Sequence, residues 1–214
     1  MIEKDAKSNI LEYDVLILGR TRAGNMICVG GLTSDYQTLR LKRDAEISFW
    51  SPDKCPFHLG QWYHVKVEPR LDKDNPHHRE DVAVFEHYFL NEISLEEIRN
   101  FLEKGRVIHY REMPHRAFNY NNEPHPMVLT QSGAFWIPKE RLGNILESIV
   151  FWKCPYGLML EEDRYHCKEL NYNVKYVGVA DPIEVITANT IIRLSTSSYW
   201  QEKNGAFLQL SGWF

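Results

Sequence analysis

The chain has few cysteines, and their spacing is not that of a metal module. Only four occur in 214 residues, at Cys28, Cys55, Cys154 and Cys167, and no two form a Cys-x-x-Cys pair. The pairs Cys55 with His58 and Cys167 with His166 have unequal spacing, whereas zinc modules use two well-spaced pairs. We therefore predict no metal site and no cofactor. Scattered free thiols are typical of a reducing compartment, which predicts a cytoplasmic protein.

Long apolar runs are also missing. No uninterrupted hydrophobic stretch has the roughly 20 residues that a membrane-spanning helix needs. The segment Met1–Ser8 is polar and carries acidic side chains where a secretory leader has its apolar core. These features predict a protein that does not associate with membranes.

Excess positive charge is absent as well. The chain has 25 Lys and Arg against 29 Asp and Glu, which gives a formal net charge of −4. Domains that bind nucleic acid through their overall charge are strongly basic. An anionic ligand would therefore have to be bound by a local patch of cations and not by the field of the whole molecule.

Complete catalytic motifs are missing from the chain. The segment Gly19–Gly24 does not end in the Gly-Lys-Ser/Thr of a phosphate-binding loop, and a strand is predicted after it where that motif requires a helix. Ser132 and Ser211 lack the two-glycine elbow of hydrolases. The sequence therefore predicts a non-enzymatic protein with no catalytic residues.

Aromatic residues and short apolar stretches are abundant. Aromatics make up 13% of the chain, which favours pleated sheets. Two apolar stretches, 15–18 and 26–29, flank a turn that contains arginine and glycine, as in a β-meander. Ser94 begins a capping box ahead of a helix predicted over Ser94–Lys104, and Gly105 ends it.

Strands dominate the pattern and do not alternate regularly with helices. We therefore predict a mainly β fold with some α, built as two small β-barrels in tandem, joined through the helix and an irregular middle segment. The first barrel and its trailing helix would occupy residues 1–105. The second barrel, with a long entry loop, would occupy residues 106–214.

Basic and aromatic residues recur together in the first half. Two arginines fall in the first turn, and a third lies near the end of a following strand. A further strand over 62–68 alternates, which puts Trp62, His64 and Lys66 on one face. Single-stranded nucleic acid is bound by this combination, because cations contact phosphates and flat rings stack on bases. The candidate nucleic-acid-binding residues are Arg20, Arg22, Arg40, Trp50, Trp62, His64 and Lys66.

A polar loop over 72–81 is a second candidate region. It contains His77, His78, Glu80 and Asp81, which are residue types used in acid–base chemistry and metal binding. An enzyme using His78 with Glu80 or Asp81 is one interpretation. Adjacent residues of an extended chain point to opposite faces, so an ordinary polar loop is the other.

Several short motifs, taken in order, resemble the dual OB-containing domain family. They are the stretch 15–32 followed by Leu39-Arg40-Leu41, the segment Pro76–Val82, the segment Tyr176–Pro182, and Ile192–Ser195 with Ala206–Trp213. The resemblance implies two OB-like barrels in tandem and no known catalytic activity. It also implies binding or sensing of nucleic acid, RNA included, in a prokaryotic defence system.

Protein binding is the alternative function. OB-like barrels can bind a partner polypeptide along an exposed edge strand or in a loop groove, and aromatic residues suit both uses. The expected partners are therefore single-stranded nucleic acid, a protein encoded by a neighbouring gene, or both.

Overall fold

The computed structural model describes residues 10–43, 49–70 and 72–214. The first half contains the strands β1 (Leu11–Ala23), β2 (Met26–Thr33), β3 (Thr38–Arg43), β4 (Gln61–Pro69) and β5 (Asp81–Glu92), followed by the helix α1 (Leu95–Lys104). The second half contains β6 (Ile108–His109), β7 (Val128–Leu129), β8 (Phe135–Pro138), β9 (Ile149–Lys153), β10 (Leu158–Glu161), β11 (Arg164–Cys167), β12 (Tyr172–Tyr176), β13 (Val185–Ile186), β14 (Ile191–Thr196) and β15 (Gly205–Trp213). Short 3-10 helices occupy Pro114–Ala117, Lys139–Asn144 and Gln201–Lys203. The prediction of a mainly β fold with some α is confirmed.

The first five strands close into a barrel in the order β1-β2-β3-β5-β4. β1 pairs antiparallel with both β2 and β4, and β3 pairs parallel with β5, as expected for a small five-stranded barrel of the OB type. The turn between β1 and β2 is made by Gly24 and Asn25, and Gly24 has a φ of +61°. Glycine adopts this conformation without steric cost.

The barrel interior is filled by one face of each strand. Val15, Val29, Leu41 and Val65 are buried in a single cluster. Burying an aliphatic side chain of this size contributes about 1.5–3 kcal/mol. The alternation predicted for β4 is confirmed, because its inward residues are buried and its outward residues are partly exposed.

The second half forms a larger curled sheet with a barrel-like shape. Its strand order is β13-β10-β11-β12-β15-β14-β9-β6. In addition, β8 pairs with β15, and β7 pairs with β8. Trp152, Tyr165 and Phe135 are large side chains of its core, and each is no more than 1% exposed. The indole nitrogen of Trp152 donates a hydrogen bond of 2.6 Å to the carbonyl of Arg111, so this buried polar group is satisfied.

Helix α1 packs where the two halves meet. Ser94 and Glu97 form the predicted capping box, which is thereby confirmed. Ile98 and Leu102 are buried in a cluster that also contains Leu16 of β1 and Phe151 of β9. The helix therefore contributes to a core shared by both halves, while the exact division at 105/106 stays a prediction.

In the part of the chain that the structure describes, no helix has the length and apolar character needed to cross a membrane.

Candidate nucleic-acid interface

A cavity of about 910 Å³ lies between the two halves. The first half contributes the end of β1, part of β2, Arg40 on β3 and His78 from the loop before β5. The second half contributes residues of β11, β12, β14 and β15, together with the turn that follows β14. Neither half forms this cavity alone, so its chemistry depends on how the two pack together.

The charged residues that line the cavity are all cations, although carboxylates outside the lining pair with three of them: Arg40 with Glu80 and Asp81, and Arg164 and Lys175 with Asp163. Six cationic side chains line the cavity, and none of the lining residues that the structure describes is Asp or Glu. The cations are Arg22, Arg40, Arg164, Lys175, Arg193 and Lys203. A concave wall of one charge sign concentrates potential and attracts counter-ions even when the whole molecule has a net charge of −4.

Arg193 is the most deeply buried of these cations, with 3% of its surface exposed. Its Nη1 donates a hydrogen bond of 2.7 Å to Ser211 Oγ, and no described carboxylate lies within ion-pair distance. Burial lowers the pKa of Arg193 to about 10, which still leaves it charged at neutral pH. A buried charge without a counter-ion is unfavourable, so a bound anion would compensate for it.

Two glycines of the first barrel make room for Arg193. A Cβ atom at Gly30 would lie 2.2 Å from Arg193 Nη2, and one at Gly19 would lie 2.5 Å from Arg193 Cζ. Neither distance is compatible with a side chain unless the guanidinium moves. These glycines therefore serve the contact between the halves, in addition to any role in the strands that contain them.

Arg40 differs from Arg193 because carboxylates neutralise it. Its Nη2 lies 3.1 Å from Glu80 Oε1, and its Nε lies 3.5 Å from Asp81 Oδ1. Burial opposes the charge of Arg40, but Glu80 and Asp81 outweigh burial, and the net effect raises the pKa of Arg40. Ser148 completes the group by hydrogen bonding to both Arg40 and Glu80.

The loop over 72–81 joins β4 to β5 and contacts the second half through the buried His77. His77 and His78 are 0% and 3% exposed, and His77 Nε2 lies 2.9 Å from the carbonyl oxygen of Ser197. Burial, followed by the nearby charge of Arg40, holds the pKa of His78 well below its ordinary value. Both histidines are therefore neutral at physiological pH. Among the residues that the structure describes, no three His, Cys, Asp or Glu side chains are grouped to hold a metal.

These histidines predict an acid-labile fold. Burial lowers the pKa of both His77 and His78, so the unfolded chain binds protons that the native chain does not. Each such histidine lowers the free energy of unfolding by up to about 1.4 kcal/mol per pH unit as the pH falls below about 6.5. Urea titrations at about pH 7 and about pH 5 measure this loss. Equal stability at the two pH values would contradict it.

Three buried polar atoms on cavity-lining residues have no hydrogen-bond partner among the described residues. They are Arg193 Nε, His78 Nε2 and Thr196 Oγ1. Buried polar groups are nearly always paired in folded proteins, since leaving one unpaired costs about 1–3 kcal/mol. All three atoms are shielded from solvent, so they lie behind the surface of the cavity wall.

The structure brings two of the predicted nucleic-acid-binding residues into the cavity, Arg22 and Arg40. Arg20 does not line it. Trp50 is 8% exposed and belongs to the core of the first barrel, where its indole nitrogen donates to the carbonyl of Leu41. This burial leaves no ring face on which a base could stack.

The outer face of β4 lies outside the cavity. Trp62 packs edge-on against Phe101 of α1, with 5.2 Å between ring centroids. His64 Nδ1 lies 2.8 Å from Asp14, and Lys66 Nζ lies 3.1 Å from Glu86. Carboxylates therefore lie beside the cations on this face, so it is not a basic surface.

The sequence did not single out four of the cavity cations, Arg164, Lys175, Arg193 and Lys203. One signal in the sequence could have pointed to the cavity: Arg193 is the single charged residue in the otherwise uncharged strand β14. Trp200 was also outside the predicted set. It is 48% exposed at the cavity and has Lys203 Nζ 5.6 Å from its ring centroid.

Comparisons with known proteins identify no family. No family model matches the chain, and no curated protein sequence is similar to it. A solved structure described as a murine DNA-binding protein bound to double-stranded DNA aligns over 94% of this chain and 92% of its own, at 14% identity and a TM-score of 0.31. A TM-score this low supports no argument about fold or function. The resemblance to the dual OB-containing domain family stays a prediction.

Proposed function

We propose that the chain binds single-stranded nucleic acid in the cavity between its two halves. The observation that carries the proposal is the set of six lining cations, in a protein whose net charge is −4. Three of them, Arg22, Arg193 and Lys203, form no ion pair with a carboxylate in the described part of the chain. Phosphates supply most of the affinity in nucleic-acid complexes, and they require this kind of wall. The resemblance to the dual OB-containing domain family agrees with the proposal and adds the RNA-linked role in prokaryotic defence.

The cavity also offers a surface for bases. Trp200 presents a large exposed ring, and stacking on such a ring contributes about 1–3 kcal/mol per base. Ser132 and Ser198 add exposed polar groups to the wall. The bases of a single strand can turn outward into a concave site, whereas the bases of a duplex stay stacked within the double helix. This is why we favour a single strand over a duplex.

A salt titration tests the proposed function. Fluorescence anisotropy with single-stranded RNA and DNA of about 12 nucleotides should give binding at low salt. If three to four phosphates are neutralised, affinity should fall about 20- to 50-fold between about 50 and about 200 mM salt. The K66M variant should bind like the natural chain, because Lys66 lies outside the cavity. Absence of binding at low salt would overturn the proposal.

Protein binding is a second candidate function, because the distal part of β5, residues 85–92, is exposed. Four large apolar side chains are about half exposed there: Phe85, Tyr88, Phe89 and Leu90. An exposed strand that carries apolar side chains can add to a partner's sheet or pack against an apolar surface. Such binding would tolerate high salt, which separates it from phosphate binding in the same titration.

A further inference from the structure

Within the described chain, one edge of β5 loses its partner strand partway along its length. β3 pairs with β5 only from Asp81 to Val84, whereas β4 pairs with the other edge of β5 as far as Glu92. No described strand pairs with the first edge along the distal part of β5, where every residue is exposed. Such an edge presents N–H and C=O groups that can pair with a strand of another chain.

The distal part of β5 exposes aromatic rings on both of its faces. Residues directly opposite each other in an antiparallel pair lie on the same face. Phe89 is opposite the inward-facing Tyr63 of β4, and Tyr88 is opposite the outward-facing His64. Phe89 and Tyr88 are 57% and 56% exposed. Lysine and proline commonly protect exposed edges from pairing, and the segment 85–92 contains neither.

Two irregularities in the pairing of β5 with β4 limit the length that a new strand can use. They fall at Phe85 and Leu90, and the residues between them, Glu86–Phe89, are paired in regular register. A bulge bends the strand that contains it and interrupts the ladder. A second strand would therefore be centred on the regular stretch Glu86–Phe89.

This stretch is complementary to itself in an antiparallel two-fold arrangement. In a two-fold interface, if one residue contacts a second, the second contacts the first in return. An axis at Tyr88 places this ring opposite its own copy and His87 opposite Phe89. An axis at His87 places Phe85 opposite Phe89. Either arrangement sets aromatic rings opposite one another, which is a favourable cross-strand combination.

The charges of the segment agree with the same two axes. Glu86 and Glu92 are the acidic residues of 85–92, and like charges directly opposite each other are destabilising. With an axis at either of the two positions above, each carboxylate faces an uncharged residue. An axis at Phe89 would instead place Glu86 opposite Glu92. The charges and the rings therefore select the same register.

The exposed area indicates how strong such a dimer would be. Four large apolar side chains of the distal part of β5 are about half exposed. Side chains of this size bury about 150–250 Å² each, so covering the exposed half would bury about 300–500 Å² per copy. A standard stable interface buries about 800 Å² per partner. We therefore expect a reversible dimer of moderate affinity.

We infer that the distal part of β5 pairs antiparallel with the same segment of a second copy and forms a two-fold dimer. This inference narrows the second candidate function, protein binding, to one occupant. None of the described residues that line the cavity belongs to 85–92. Dimer formation and nucleic-acid binding can therefore be tested separately.

Sedimentation velocity of the full chain without nucleic acid tests the inference. Over about 1 to about 200 μM, the average mass should rise from 25.2 kDa towards twice that value, with a Kd of about 10–100 μM. Raising the salt from about 50 to about 500 mM should not weaken the dimer, because each copy has a net charge of −4 and the contact is apolar. A monomer at every concentration would overturn the dimer and leave the nucleic-acid proposal in place.

A pair of matched variants tests which strand forms the contact. Y88E places a carboxylate from each copy at or beside the axis and should weaken dimer formation at least about 10-fold. V185E makes a similar change at an exposed apolar position of β13 and should dimerise like the natural chain. Equal dimer formation by Y88E and the natural chain would overturn the assignment to β5.

Single cysteines determine the position of the axis. In a C28S background, the three remaining natural cysteines are buried. A residue on the axis faces its own copy with about 4.5–5.5 Å between Cα atoms, which is within disulfide range. Mild oxidation should therefore link two copies through Y88C or through H87C, and not through T187C at an exposed position elsewhere. Failure of both β5 cysteines to form the link would contradict the paired strands.

Discussion

Replacement of Arg193 by methionine is expected to weaken oligonucleotide binding by about 100-fold. Removing one partner of a desolvated, hydrogen-bonded charge pair costs about 2–5 kcal/mol of binding free energy, and a 100-fold loss lies within that range. Arg193 is 3% exposed and has no described carboxylate beside it, so a bound phosphate would depend on it strongly. Fluorescence anisotropy at low salt measures the change.

The same variant should not weaken the fold. A buried charge without a counter-ion destabilises the native state, and an apolar side chain of similar length removes that cost. We expect the free energy of unfolding of R193M to equal or exceed that of the natural chain by about 1–2 kcal/mol. K66M is the control for the loss of one cation outside the cavity. A large loss of stability in R193M would indicate a structural role for Arg193.

Replacement of Asp81 by alanine should have the largest effect on stability. Asp81 is 1% exposed and lies 3.5 Å from both Lys42 Nζ and Arg40 Nε. Removing one partner of a buried ion pair typically costs about 3–5 kcal/mol, because the other charge stays buried without compensation. Arg40 retains Glu80, so the main unpaired charge in D81A would be Lys42. Urea unfolding at neutral pH measures the cost.

A double variant isolates the cause of that loss. K42M combined with D81A removes both charges of one pair and should recover most of the lost stability. Lys42 also lies over the ring of Phe49 at 3.9 Å, and methionine preserves part of that contact. If D81A were within 1 kcal/mol of the natural chain, the ion pairs of Asp81 with Lys42 and Arg40 would not stabilise the first barrel as we expect.

Local features of the fold were predictable because their signals are local. A turn between two apolar stretches was predicted, but Arg20 and Arg22 lie on β1, and only Gly24 and Asn25 form the turn. The capping box joins Ser94 to Glu97, three residues later. Each signal reflects backbone conformation or hydrogen bonding within a few residues. The mainly β character followed in the same way from strand-length apolar segments.

The cavity was not predictable from the same sequence, because its key contacts join distant residues. Arg193 meets Gly19 and Gly30, which lie more than 160 positions earlier in the chain. The spacing of glycines near an apolar strand gives no indication of which side chain will occupy the space that they leave. Only the packing of one half on the other creates the site.

The outer face of β4 illustrates a different limit of sequence patterns. The alternation of Trp62, His64 and Lys66 was correctly predicted, but the charge of the face depends on neighbouring strands. β1 contributes Glu12 and Asp14 beside these residues, and β5 contributes Glu86. A stripe that is basic within one strand is thereby neutralised across the sheet.

The structure of a complex tests the central claim most directly. Crystals of the full chain with a short single-stranded oligonucleotide would show where the ligand binds. We predict that the strand enters the cavity between the halves, with a phosphate at the Arg193 guanidinium. A strand bound along the outer face of β4 or the distal part of β5, with the cavity empty, would contradict the claim.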